Sequence, residues 1–182
     1  MSIIKTAVAL TDPRFPHNVG AALRACSCWD IPRLLWSGKR VPHPDEWKDN
    51  EELNQYRLPR EERMKGYKRV EIQRTDRFKD IILEGYTPVA IEVMENSENL
   101  FDFIHPENAL YIFGPEDGSL EKSILQHCHR FVHIPTQFCL NLACAVNVVL
   151  ADRAAKKYRS TGSLLTLQDN RGFGNINMTT NE

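Results

Sequence analysis

The sequence lacks several features that mark common classes of protein. It has no apolar run close to the ~20 residues that a membrane-spanning helix needs. Its start, MSIIKTAVALTDPRF, has no long apolar stretch followed by a small-residue cleavage site and is typical of a first strand. It contains neither G-x-G-x-x-G nor G-x-x-x-x-G-K-[ST], the loops that hold dinucleotides and nucleoside triphosphates. We therefore expect a cytoplasmic protein that does not bind a membrane, and a simple nucleotide site is disfavoured.

Cysteine pairing and a strong net charge are also missing. The five cysteines are an odd number, which argues for reduced thiols. The segment HCHRFVH matches no zinc pattern, so we expect no metal site. The net charge of −1 does not demand nucleic acid, but residues 57–69 carry six basic and two acidic side chains. This basic stretch is either a solvated helical face or a patch that binds phosphates.

The apolar pattern predicts one α/β domain. Apolar residues make up 42% of the 182 residues, enough for a substantial core. The predicted strands are 3–10, 33–37, 69–73, 87–94, 108–114 and 130–135, and the predicted helices are 18–29, 76–85, 119–128 and 141–158. A charged region over 44–68 is expected to be helix and loop. This alternation indicates a mostly parallel sheet with helices on both faces, with the domain over residues 1–160 and a polar tail over 161–182.

Three segments follow predicted strands, where ligands bind in such sheets. They are Asp12–Cys26, Phe113–Ser119 and Ile134–Asn141. Gly20 and Arg24 share one helical face, although the arginine could simply extend to solvent. Glu116 and Asn141 could each be no more than a favourable group at a helix start. The coincidence of all three segments is stronger than any one of them.

Together these segments resemble the motifs of the SpoU-type RNA ribose methyltransferases of the SPOUT superfamily. The N-x-G-x-x-x-R motif is matched by Asn18, Gly20 and Arg24. The G-x-E motif and its following glycine are matched by Gly114, Glu116 and Gly118. The third motif, I-P, a loop and S-L-N, is matched by Ile134, Pro135, Cys139, Leu140 and Asn141. Cys139 stands where the family usually has serine, and a thiol is a poorer hydrogen-bonding group than a hydroxyl.

The resemblance implies a C-terminal trefoil knot, a homodimer and S-adenosylmethionine as cofactor. It assigns cofactor binding to Gly114, Ile134, Cys139 and Leu140, with a further residue among 91–93 that the sequence does not identify. It assigns Arg24 to the acceptor oxygen of the substrate. The same comparison gives Asn18, Glu116 and Asn141 the task of orienting Arg24 and the ribose.

The expected reaction is transfer of a methyl group to a ribose 2′-hydroxyl of RNA. Transfer RNA is favoured because the chain is short, and ribosomal RNA is the alternative. A non-catalytic RNA-binding protein of the same fold is a third possibility, favoured only by Cys139. An enzyme acting on a small nucleotide is disfavoured by the missing phosphate loops. The expected RNA contacts are Arg14, Arg33, Lys39, Arg40 and the basic stretch over 57–69.

Overall fold

The computed structural model describes residues 6–41, 69–75, 82 and 85–162. Within these residues the strands are β1 (Ala7–Leu10), β2 (Arg33–Trp36), β3 (Glu71–Arg74), β4 (Thr87–Ile91), β5 (Glu98–Asn99), β6 (Ala109–Phe113) and β7 (Arg130–His133). The helices are α1 (Pro16–Cys28), α2 (Lys122–Leu125) and α3 (Leu142–Thr161). The predictions for 3–5, 44–68, most of 76–85 and the tail after residue 162 lie outside the described residues.

The strands form one sheet in the order β3-β2-β1-β6-β4-β7-β5, and every pair is parallel. Strands that are covered on both faces read as continuous apolar runs, as AVAL in β1 and ALYIF in β6 do. The parallel sheet is therefore as predicted, except that β5 was not expected. The carboxyl ends of β1, β6, β4 and β7 lie side by side along one edge, which sets the position of the candidate site.

Side chains of alternate strand residues enter two separate cores. On one face, Val8 and Tyr111 pack with residues of α1 and α3, including Leu23 and Val146. On the other face, the core contains Ala9, Leu110 and Ile112, with Ile124 of α2 packed against it. Helical residues thus cover both faces, which confirms the predicted fold class.

Two helices begin elsewhere than predicted. Pro16 occupies the first turn of α1 and Phe15 is its N-cap, because proline fits a helix start where its missing N–H is not needed. Asn18, the first residue of the predicted helix, therefore lies inside the observed one. The predicted helix 119–128 is shorter in the structure, where it covers Lys122–Leu125 with Glu121 as its N-cap.

The start of α3 agrees with the sequence. Asn141 is its N-cap, and the Asn141 side-chain oxygen accepts hydrogen bonds from the backbone N–H groups of Ala143 at 2.9 Å and Cys144 at 3.3 Å. Gly162 ends the helix in the left-handed region at φ +66°, a conformation in which glycine meets no Cβ penalty. Of the helices described, none has the length and apolar content to cross a bilayer.

Candidate active site

A single buried amide joins the three predicted motif segments. Asn18, a residue only 2% exposed, donates from Nδ2 to Oε1 of Glu116 at 2.5 Å. Its Oδ1 accepts from Nδ2 of Asn141 at 2.9 Å. We call this chain of hydrogen bonds, Glu116–Asn18–Asn141, the amide bridge. Because Asn141 also caps α3, the bridge fixes the starts of α1 and α3 against the loop after β6.

Glu116 is held by both of its oxygens. While Oε1 accepts from Asn18, Oε2 accepts from the backbone N–H of Arg14 at 2.8 Å. A carboxylate that accepts two hydrogen bonds in separate directions has little freedom to rotate, and such charge-assisted bonds are stronger than neutral ones. The side chain thus has a fixed orientation before any ligand binds.

The amide bridge forms part of the wall of a cleft of about 470 Å³. All four residues predicted to bind the cofactor line this cleft, together with the predicted orienting residues Asn18, Glu116 and Asn141. The four are Gly114, Ile134, Cys139 and Leu140. The cleft also receives Ile91, Glu92 and Val93, so the whole 91–93 segment contributes to it. Much of the remaining wall is apolar, with Phe113 and Leu142 among its residues.

Glu92 was not singled out from the sequence, although it holds the loop that carries Glu116. Its Oε2 accepts from the backbone N–H of Leu120 at 2.9 Å, and its own N–H donates to Val132 O at 2.9 Å. Gly114 lies beside this contact, and an added Cβ there would lie 3.3 Å from Leu120 N. The signal in the sequence was a carboxylate directly after a buried strand, as for Glu116.

The structure does not bring Arg24 to the cleft of its own chain. Arg24 is exposed on α1, six residues after Asn18 and so about 9 Å farther along the helix axis. The cleft is lined by other parts of the described chain, including Phe15, His17 and Asn18 from this region. The catalytic role of Arg24 therefore stays a prediction.

Two of the expected RNA contacts belong to an ion-pair cluster beside Glu116. Arg40 Nη1 donates to both carboxylate oxygens of Asp117 at 2.9 and 3.0 Å, and Arg40 Nε lies 2.9 Å from Asp12 Oδ2. Arg14 Nη1 lies 3.4 Å from Asp117 Oδ2. The hydrogen bond from Arg40 is the main cause that lowers the pKa of Asp117. These side chains are between about a third and a half exposed, so we expect the pairs to add little stability.

Arg33 lies away from that cluster. It is the first residue of β2, at the amino edge of the parallel sheet. There it donates to Gln73 Oε1 and lies 3.6 Å from Glu71 Oε1. Arg33 thus lies at the opposite edge of the sheet from the cleft, and its role as an RNA contact stays a prediction. Lys39 follows β2 at the carboxyl edge and is exposed.

A second polar cluster joins β6 to α3. His105 Nε2 lies 2.8 Å from Asp152 Oδ2, and its Nδ1 lies 2.5 Å from the Tyr111 hydroxyl. Because the carboxylate only accepts, Nε2 carries the proton and Nδ1 accepts from Tyr111. Lys156 Nζ lies 2.7 Å from Asp152 Oδ2. Burial lowers the pKa of His105, partly offset by Asp152, and burial raises the pKa of Tyr111 to about 12.

Comparison with known proteins gives one family. The sequence model of the SpoU rRNA methylase family matches residues 5–151. A search of curated proteins found no match.

No group of three or more potential metal ligands occurs in the part of the chain that the structure describes.

Solved structures share the fold at low sequence identity. The A. aeolicus TrmH/SpoU tRNA modifying enzyme is 18% identical, with 91% of this chain and 83% of that chain covered and a TM-score of 0.69. A protein described by the 2-OH methylation of C/U34 on tRNA is 21% identical, with coverage of 87% and 98% and a TM-score of 0.62. The AdoMet-bound rRNA methyltransferase from Sinorhizobium meliloti is 18% identical, with a TM-score of 0.61; the match covers 87% of this chain but only 57% of that one.

Proposed function

Because the chain belongs to the SpoU rRNA methylase family, we propose that it transfers a methyl group from S-adenosylmethionine to a ribose 2′-hydroxyl of RNA. The observation that carries this proposal is the amide bridge. It brings one residue from each of the three motifs into the wall of a single cleft. The two hydrogen bonds of the bridge join residues that are 98 and 123 positions apart in the sequence. Capping a helix needs only local hydrogen bonds, so it does not explain these long-range contacts.

The cleft fits S-adenosylmethionine in size and chemistry. Its volume of about 470 Å³ lies within the usual range of small-molecule sites, which combine apolar walls with a few polar groups. Gly114 leaves open the space that a side chain would fill beside Leu120 N. Ile134, Cys139 and Leu140 would complete the walls. The AdoMet held by the Sinorhizobium meliloti structure supports this choice.

The protein residues position the acceptor and stabilise its charge. When bound, the cofactor supplies a methyl group already activated by its sulfonium. Glu116 and Asn141, fixed by Asn18, would orient the ribose so that its 2′-oxygen lies in line at ~3 Å. Arg24 would stabilise the negative charge that develops on this oxygen, since a guanidinium stays protonated and is poorly suited to remove a proton.

A homodimer would reconcile this mechanism with the position of Arg24. The side chain lies outside the cleft of its own chain and is exposed on α1, so we propose that it acts in the cleft of a second copy. Mixing Arg24→Ala with Asn18→Ala subunits tests this directly. Each variant should be inactive alone. The mixed dimer keeps one complete site, and equal mixing should restore about one quarter of wild-type activity. No recovery would show that both residues act within one chain.

Transfer RNA is the substrate we favour, and ribosomal RNA is the alternative. Two of the similar structures are described as acting on tRNA and one on rRNA. The test is incorporation of labelled methyl groups into separated tRNA and rRNA from cells that lack the gene. Wild type should label one fraction, and Asn18→Ala should not. Absence of both label and cofactor binding by wild type would overturn the proposal.

The cations beside Glu116 would hold the RNA backbone. Arg14, Lys39 and Arg40 all follow carboxyl ends of strands on the side of the cleft. Neutralising phosphates with such side chains releases counterions, so RNA affinity should fall steeply as salt rises. Phosphate contacts weaken strongly between roughly 50 and 200 mM salt. If the affinity for RNA stays constant over that range, these three cations do not bind the RNA backbone.

The non-catalytic alternative gains nothing from the structure. It depended on Cys139, which lines the cleft. The hydrogen bonds of the amide bridge run through Asn18 and its two partners and not through the thiol. Replacing the usual serine therefore leaves the orientation of Glu116 and Asn141 intact. The trefoil knot and the cytoplasmic location stay predictions.

A further inference from the structure

Two aromatic rings stack at the rim of the cleft just before the amide bridge. The rings of Phe15 and His17 have centroids 5.3 Å apart and an interplanar angle of 22°. The Arg14 guanidinium lies 5.2 Å from the Phe15 centroid. Both rings line the cleft, and Phe15 is 40% exposed. A single exposed phenylalanine is ordinary, but a stacked pair beside a ligand cleft is not explained by core packing.

The backbone that carries the rings is held on both sides. Asp12 turns the chain after β1 with a φ of +41°, and its carboxylate pairs with Arg40 at 2.9 Å. The N–H of Arg14 is bonded to Glu116, and Pro16 restricts the first turn of α1. Since the segment is ordered before binding, a ligand that stacks on the rings loses little of its affinity to ordering the protein.

The neighbouring charges indicate what kind of planar group would bind. The first turn of α1 contains no acidic side chain of its own, and the carboxylate that lies against its start, Glu116, is already bonded to Asn18 and to the Arg14 N–H. The Arg14 side chain is 53% exposed despite its contact with Asp117. A planar group next to a phosphate and a sugar is a nucleotide. Both rings and Asn18 line the same cleft, so a base on the rings would place its ribose near the amide bridge.

We propose that Phe15 and His17 form a stacking platform for the base of the acceptor nucleotide, and hence that the substrate nucleotide is unpaired. This inference rests on the proposed function and narrows its substrate class. In an A-form duplex the bases are stacked on their neighbours and cannot lie on an external ring, whereas nucleotides in loops and single strands can. The target is therefore a loop or single strand, not a base-paired stem.

The test compares Phe15→Leu with Phe15→Trp and with a matched control, Phe101→Leu. Phe101 is 62% exposed in the loop after β5, several strands away from β1. Equilibrium binding of cellular tRNA and of S-adenosylmethionine is measured for each variant, which needs no turnover. Methyl transfer is then measured on the same RNA, free or annealed to a complementary DNA across the methylated nucleotide.

We expect Phe15→Leu to weaken RNA binding about 10- to 100-fold, the usual effect of losing one base–aromatic stack. Phe15→Trp should stay near wild type, Phe101→Leu should be unchanged, and cofactor affinity should be equal in all. Annealing should abolish transfer by wild type.

Four results would overturn the platform. They are unchanged RNA affinity in Phe15→Leu, a loss confined to cofactor affinity, equal methylation of the annealed RNA, and dissociation of the dimer by Phe15→Leu. The last would make the ring a contact between subunits. Failure of wild type to transfer methyl groups to any RNA would instead overturn the proposed function, because RNA binding is scored separately.

Discussion

Replacing Asn18 by aspartate should break the amide bridge while leaving its shape almost unchanged. The substitution removes the two amide protons, so the group that donates to Glu116 Oε1 at 2.5 Å is lost. In its place a carboxylate oxygen faces a second carboxylate. The bond accepted from Asn141 survives, so the effect reports on the side of the bridge that holds Glu116.

The size of the effect follows from two contributions. A hydrogen bond to a charged acceptor contributes about 1.5–3 kcal/mol to stability. Two like charges about 4 Å apart repel by about 4 kcal/mol at an effective dielectric constant of 20. Relaxation of the side chains offsets part of the sum, so we expect Asn18→Asp to lower the free energy of unfolding by about 3–5 kcal/mol. Asn18→Ala should lose about 2–3 kcal/mol, because it removes the bonds without adding charge.

Urea denaturation at pH 7.5 measures these differences, with Asn96→Asp as the matched control. Asn96 is exposed in a turn, so the same chemical change there should cost less than about 0.5 kcal/mol. Cofactor affinity is measured in parallel by calorimetry. If Asn18→Asp proves as stable as wild type, the buried amide does not lie between Glu116 and Asn141 and the geometry of the site is wrong.

Three further predictions concern other parts of the fold. Burial lowers the pKa of His105, so the histidine of the unfolded chain takes up a proton at a higher pH than that of the folded protein. The free energy of unfolding should therefore be greatest above pH about 6.5 and fall as the pH drops below it. His105→Gln should flatten this dependence, which urea titrations at several pH values would measure. Gly38 has a φ of +84°, and an added Cβ would lie 1.9 Å from Asp12 Oδ1, so Gly38→Ala should lower the melting temperature. The double variant Gly38→Ala/Asp12→Gly should recover part of that loss. If it recovers none, the loss comes from backbone strain alone and not from the clash with Asp12. Gly114→Ala should weaken S-adenosylmethionine binding more than Gly118→Ala. The new Cβ at 114 would lie 3.3 Å from the backbone nitrogen of Leu120, whereas that at 118 would lie 3.5 Å from the flexible ring of Pro115. Equal affinities of the two variants for the cofactor in calorimetry would contradict this.

Most of the sheet could be predicted from the sequence because buried parallel strands carry continuous apolar runs. β5 could not, because its two residues, Glu98 and Asn99, are polar and, among the residues that the structure describes, it pairs with β7 alone. The short α2 was overestimated for a different reason. The backbone N–H of Leu120 bonds to the Glu92 side chain, so the chain before Lys122 is held out of the helix by a residue distant in sequence.

The sequence motifs predicted which residues belong to the site but not how their side chains are arranged. Asn18, Glu116 and Asn141 were expected to act together, and the structure brings them into contact. That Asn18 would be the central link was not foreseeable, because an asparagine at the start of a predicted helix is ordinarily a capping residue. The stacking of Phe15 on His17 was also missed, because exposed aromatic pairs have no period in the sequence. Whether Arg24 acts in the cleft of a partner subunit depends on how two chains associate, and the local sequence pattern around Arg24 does not show this.

The amide bridge has a consequence for the order in which the protein becomes competent during synthesis. Its partners are separated by 98 and 123 residues, so closing it requires contacts of high sequence separation, which form slowly. The ribosome must release Asn141 and enough of α3 to shield it before Asn18 can be satisfied at both ends. A chain that ends before residue 141 lacks one member of the amide bridge, so such a product should not bind the cofactor.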